Sequence, residues 1–111
     1  MTITVKNIIP RKFAENSQTT QYTATNCKTV IDKFTATNTS AGPVVLSANL
    51  VASGDSASAS NLLLNSKSIA AGETYNAYEL VGQVLESGGF ISIIAGTASA
   101  LTISASGREI T

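Results

Sequence analysis

With 111 residues, the chain is one domain that buries roughly two-thirds of the surface its unfolded form exposes, enough for a modest core without disulfides or metal. Seven Lys and Arg balance seven Asp and Glu, and only 13% of residues are charged; neither nucleic acid nor an anionic membrane is therefore an expected partner. The absence of histidine excludes Ser-His-Asp and Cys-His catalysis as well as histidine metal ligands.

Along the chain, Thr2-Ile3-Thr4-Val5 alternates like a short strand, Pro10 is expected to stop it, and Asn16-Ser17-Gln18-Thr19 is a polar hinge. Four charges (Lys6, Arg11, Lys12, Glu15) fall in this segment, which reads as an extended arm, residues 1–19, ahead of a compact domain, residues 20–111. The arm has no evident partner strand, so it is expected to dock on a neighbouring subunit and its removal to leave a folded domain. Its apolar residues are interrupted by Lys6, Pro10, Arg11 and Lys12, leaving no continuous run like that of a secretory signal, and synthesis in a cytoplasm is expected. No apolar run approaches the roughly 20 residues of a membrane helix.

From Thr20 onward, β-prone runs are cut by turn clusters at the spacing of a sandwich or barrel. Gln21–Thr25 and Thr29–Thr37 suit a pleated surface. Asn38-Thr39-Ser40-Ala41-Gly42-Pro43 forces a turn; it contains a glycosylation sequon, read here as a turn. In Val44–Val51 the side chains of Val44, Leu46, Ala48 and Leu50 point one way and those of Ser47 and Asn49 the other. Ser53–Ser60 is a low-complexity loop, and Asn61–Ala70 is a strand with Leu62 and Leu64 on one face, followed by a turn at Ala71-Gly72.

Within Glu79–Ser87, Leu80, Val81, Val84 and Leu85 recur at helical spacing over a stretch too short for an independent helix, which predicts one tucked helical turn. Phe90–Ala95 is apolar on both faces, so it should be central or covered on both sides. Ala100–Ser106 closes the pattern, with Leu101, Ile103 and Ala105 opposed by Thr102, Ser104 and Ser106. The expected fold is all-β, a single antiparallel β-sandwich, jelly-roll or Ig-like, with Leu46, Leu50, Leu62, Leu64, Ile94, Leu101 and Ile103 inside.

Little in the chain reads as chemistry. Glu15, Asp32, Asp55, Glu73, Glu79, Glu86 and Glu109 form no paired acid–base motif, and Asp55 lacks the alternating oxygen ligands of a calcium loop. Cys27 has no disulfide partner and reads as a small buried or half-buried residue in a strand. Gly82, Gly88 and Gly89 make turns, not a phosphate cradle. No catalytic, cofactor or metal residues are assigned. Tyr75 and Tyr78 are the one aromatic pair that could serve a sugar platform, with packing as the plainer reading. The 14 Ser, 14 Thr and 15 Ala give a weakly charged hydroxyl surface suited to dense assembly.

Several stretches carry a family likeness: Ile69-Ala70-Ala71-Gly72-Glu73-Thr74-Tyr75, Glu79-Leu80, Val84 to Ile91, Ala98 to Ile103, and the ending Ser106-Gly107-Arg108-Glu109-Ile110. With Phe34 to Thr39 and Val44 to Leu50 upstream, the chain over residues 29–110 resembles small β-sandwich virion structural proteins of tailed bacteriophages. It departs from their pattern at Gly89, where Asp is common. The resemblance implies a bacteriophage virion protein, in the first place a capsid decoration or cement protein bound to the major capsid protein or another virion protein, and a homo-oligomer. A neck, tail or fibre module is the alternative within the virion, and a carbohydrate-binding domain the alternative outside it.

Overall fold

The computed structural model describes residues 1–111. The chain forms nine strands: β1 (Ile3–Phe13), β2 (Thr19–Thr23), β3 (Lys28–Asn38), β4 (Val44–Val51), β5 (Leu62–Ile69), β6 (Thr74–Asn76), β7 (Val84–Leu85), β8 (Phe90–Ala95) and β9 (Leu101–Ile110), with one 3-10 turn at Ala59–Asn61. They make two antiparallel sheets packed as a sandwich. Sheet A has the order β1-β9-β3-β6, with β7 also on β3, and sheet B the order β2-β8-β4-β5.

The pairing is nested: β1 with β9, β2 with β8, β3 with β6 and β7, β4 with β5. Successive nested pairs alternate between the two sheets. A long antiparallel hairpin rolled up in this way is the jelly roll, which decides between the two sandwich types expected from sequence. One of its eight strand positions is divided here, β6 lying against Thr35–Thr37 of β3 and β7 against Thr29–Val30.

A core of 24 buried residues fills the space between the sheets, including Ile31, Phe34, Leu46, Ile69, Leu80, Ile91, Ile93, Leu101 and Ile103. Of the seven residues expected inside, Leu46, Leu64, Leu101 and Ile103 are buried. Ile94 is not: it lies opposite Ser47 on the outward side, while Ile91, Ile93 and Ala95 face the core. β8 is central in its sheet, as expected, but with the opposite apolar row turned inward. Leu50 pairs with inward-facing Ile91 yet stays half-buried at the sandwich end. A bulge in β5 sets Leu64 opposite Ala48 and Leu62 opposite Asn49, leaving Leu62 half-buried; bulges cannot be read from alternation.

The N-terminal segment does not stand away from the domain. Residues 3–13 are strand β1, hydrogen-bonded along β9, and Ile8, Ile9 and Ala14 belong to the core. Pro10 fails to stop the strand because β1 is an edge, where a missing N–H costs no ladder bond. Residues 79–87 form no helical turn of the α kind. Leu80, Val81 and Gln83 donate to residues three positions back, and the chain then extends into β7. Leu80 and Leu85 are buried while Val81 and Val84 are exposed, so the spacing reflected two separate anchors.

Buried polar side chains tie the loops down. The Asn38 amide donates to the carbonyls of Gly42 and Ile69, both at 2.8 Å, and its Oδ1 accepts from the Ser40 N–H and hydroxyl at 2.9 and 2.7 Å. Asn38 of the sequon is thus consumed by its own turn. Asn49 does the same for the Ser/Ala loop, donating to Ser58 O and Asn61 Oδ1 at 3.0 and 2.8 Å while accepting from Gln18. Gln18 also donates to buried Ser92 at 2.7 Å. Asn49 does point outward, as its parity predicts, but loop and hinge cover it.

Candidate interaction surface

The strand registers fix what the outer face of sheet A presents. Leu101, Ile103 and Ala105 of β9 point inward, so Thr102, Ser104, Ser106, Arg108 and Ile110 point out. Around Thr102 and Ser104 the face is hydroxyl, with Thr37 and Thr74 bonded side chain to side chain at 2.9 Å. At the other end its character changes. One cross-strand row there reads Val5, Arg108, Val30, Val84, and the next reads Ile3, Ile110, Lys28.

Side chains in these rows are left uncovered: Ile3 is 52% exposed, Val5 79% and Val84 51%. Arg108 does not make the zone strongly charged, because its guanidinium lies on the Asp32 carboxylate with contacts of 2.9 and 3.1 Å. Asp32 reaches it from a bulge in β3 between Ile31 and Lys33. The apolar rows end at β1, an edge with no strand beyond it.

Beside Val84 lies a cleft of about 170 Å³ lined by Leu50, Val51, Ala52, Val84, Leu85, Glu86 and Gly89. Ligand sites for drug-sized molecules run to roughly 300–1,000 Å³. This one has room for a single aliphatic side chain, a dimension that suits a protein contact.

Under the apolar zone, on the inner side of the sheet, the sandwich end is closed by polar groups. The Tyr22 hydroxyl from β2 bonds Thr29 at 2.7 Å and donates to the Glu109 carboxylate. Lys6 reaches Glu109 at 3.4 Å and lies 6.0 Å from the centre of the Tyr22 ring. Burial and then the adjacent carboxylate push the Tyr22 phenol well above its ordinary range, while the phenol and Lys6 hold Glu109 below its own. Cys27 is buried against the same Thr29, its Sγ 3.6 Å from the hydroxyl.

The carboxylates are dispersed. Glu15 takes hydrogen bonds from Gln21 and Lys12, Asp32 faces Arg108, Glu79 faces Tyr75, Glu86 faces Lys28, and Glu109 sits with Tyr22 and Lys6. Glu73 accepts from the Ala70 N–H at 3.3 Å within its turn. No three of the Asp, Glu and Cys side chains come together as a metal site would need.

Tyr75 and Tyr78 have different surroundings. The Tyr75 ring is half-buried against the core and lies 5.0 Å from Lys67 Nζ, bridging the β6 edge of one sheet and the β5 edge of the other. Its hydroxyl donates to Glu79 at 2.6 Å. Burial, then Glu79, push the phenol up to about 12. Tyr78 is 75% exposed on the following turn. Tyr75 is therefore a packing residue, and of the pair Tyr78 presents a free ring.

The Ile3/Val5 alternation and the hydroxyl row of β9 are visible in the sequence, but the apolar zone is not. The zone joins residues from four strands, and nothing local to Val30, Val84 or Ile110 says that they meet. Comparison of the chain with protein-family models, curated proteins and solved structures finds no match.

Proposed function

We propose that the chain is a structural virion protein of a tailed bacteriophage, of the capsid decoration or cement type, holding to the major capsid protein or another virion protein through protein–protein contacts. The observation that carries this reading is the apolar zone of sheet A around Val5, Val30, Val84 and Ile110, set at an open sheet edge and beside a cleft sized for one side chain. A surface of this kind on a weakly charged, hydroxyl-rich domain desolvates at little cost. The jelly-roll topology adds an analogy of fold, since capsid domains use it, as lectins and cupins also do. Localisation in the virion, with synthesis in the host cytoplasm, follows from the same reading, which the resemblance of residues 29–110 to small virion proteins of tailed bacteriophages also supports.

The test is electron microscopy of particles assembled with and without this protein. Density of its size, repeated on the head and absent from the deletion particle, is the expected result. Density confined to the neck or tail would move the protein to those structures, and none anywhere would end the virion reading. Glycan binding by the free protein, lost on Tyr78→Ala, would replace it with carbohydrate recognition.

A further inference from the structure

The free edge of β1 has a defined hydrogen-bonding register. Thr2 and Thr111 exchange both backbone bonds, N–H to O at 3.1 and 2.9 Å. In an antiparallel ladder such pairs alternate, so Thr4 opposite Glu109 and Lys6 opposite Gly107 also bond β9. The main-chain N–H and C=O of Ile3 and Val5 then point away from the sheet. These are the same residues whose side chains stand exposed on the apolar zone.

The second half of β1 is protected against strand addition by Pro10, Arg11 and Lys12, and its register against β9 is broken on both sides of Ile9. From Ile3 to Lys6 the register is unbroken and there is no proline, and the one charge, Lys6, is turned onto its own Glu109. The outward groups of this half are open to solvent, and an extended segment would pair all of them at once, with apolar residues opposite Ile3 and Val5.

The geometry points to β1 of a second copy as that segment, paired antiparallel about a two-fold axis at Thr4. This inference names the self-contact of the homo-oligomer and rests on the assembly reading only for its use in the particle. With the axis at Thr4, Ile3 faces the second copy's Val5 and Val5 faces its Ile3, each pair exchanging both main-chain bonds. Thr4 faces its own equivalent and Lys6 faces Thr2. The two Lys6 side chains fall four residues apart, about 13 Å, beyond the roughly 8 Å over which charges act at physiological salt. Each Lys6 is also neutralised by its own Glu109.

Moving the axis to Val5 would keep one apolar pair, Val5 with its own equivalent, but would set Lys6 opposite Thr4 and leave each Ile3 facing Asn7. In the Thr4 register the row Val84, Val30, Arg108, Val5 continues into Ile3, Ile110 and Lys28 of the second copy, and the apolar zone becomes one band across the pair. The zero net charge of the chain sets no long-range repulsion against it. The contact is short, below the area of a standard stable interface, so it forms at high local concentration, as on a particle surface.

The test uses the full chain. Sedimentation velocity over rising concentration should show wild-type mass moving from monomer toward dimer. Val5→Pro removes an outward N–H at an edge position where proline is tolerated, and should hold the protein at monomer mass with a melting temperature close to that of wild type. Thr4→Cys places two cysteines at a non-hydrogen-bonded position whose Cα separation of about 4.5 Å suits a disulfide. Mild oxidation should give a covalent dimer on a non-reducing gel, while Thr2→Cys, facing Lys6, should give at least tenfold less. A wild-type protein monomeric up to about millimolar concentration, with Thr4→Cys uncrosslinked, overturns the pairing, as does equal crosslinking of the two cysteine variants. A monomer that still decorates particles sinks the pairing alone; a β1-paired dimer that binds no particle sinks the virion reading alone.

Discussion

Asn38, Tyr22 and Gly107 each hold a place that only one residue type fills well. Asn38 is fully buried with both ends of its amide in use. Asn38→Ala leaves the Gly42 and Ile69 carbonyls and the Ser40 N–H short of partners and should cost about 2–4 kcal/mol, read as a shift of the urea midpoint at constant slope. Tyr22→Phe keeps the ring but removes the bonds to Thr29 and Glu109. Glu109 keeps Lys6 and some solvent, so the loss should be smaller, about 1–2 kcal/mol. Gly107 lies where β3 and β9 approach closely: a Cβ there would run into the Val30 carbonyl oxygen and crowd the Ile8 side chain. Gly107→Ala should therefore destabilise by about 1–3 kcal/mol, measured by thermal melting, with the nearby bulge at Asp32 widened in a crystal structure.

At the scale of elements, β1 decides how the molecule responds to truncation. Composition and Pro10 suggest a detachable arm, but Ile8 and Ile9 are buried and β9 would lose one of its two hydrogen-bonded neighbours. Losing one buried aliphatic side chain costs roughly 2–5 kcal/mol, and whole domains are stable by only about 5–15 kcal/mol. Deleting residues 1–13 should leave a chain without cooperative unfolding, seen as collapsed amide dispersion in an NMR spectrum; a well-folded remnant would restore the arm. What makes β1 look separable is its outer row, Ile3, Val5 and Phe13, which is exposed. An edge strand with one uncovered face has the same alternation as a free one.

For the whole molecule, the ionisable groups set a broad pH plateau. Glu109, Glu79 and Glu15 are held below the ordinary carboxylate range by hydrogen bonds from Tyr22, from Tyr75 and from Gln21 with Lys12. The unfolded chain then takes up these protons first as pH falls, so stability is full above about pH 5 and is lost below it. Tyr22 and Tyr75 are shifted upward by burial. The unfolded tyrosines ionise near pH 10, so stability falls again as pH rises past that value. No histidine titrates between. Melting temperatures across the pH range should be flat from about 5.5 to 9 and fall on both sides, with Tyr22→Phe reducing both slopes; a step near pH 6.5 would contradict this account.

The all-β class, most strand positions and the turns are legible in the sequence, because period-two alternation and turn residues such as those at Asn38–Pro43 act locally. In Val44–Val51 the inward row Val44, Leu46 and Ala48 was legible, although Leu50 stays half-buried and Val51 is buried, and the buried row Leu101, Ile103, Ala105 could be read from its hydroxyl opposite. Tertiary structure decided which apolar row of β8 faces the core, since Phe90–Ala95 offers two and the choice falls to its cross-strand partners, Leu46, Ala48 and Leu50 on one side and Tyr22 on the other. It decided that β1 belongs to the sandwich, since a strand's neighbour can lie a hundred residues away, as Ile110 does from Ile3. And it decided the candidate surface. Val5, Arg108, Val30 and Val84 are unremarkable singly, and they become a site because backbone pairing, which leaves no trace in local composition, lays four strands side by side.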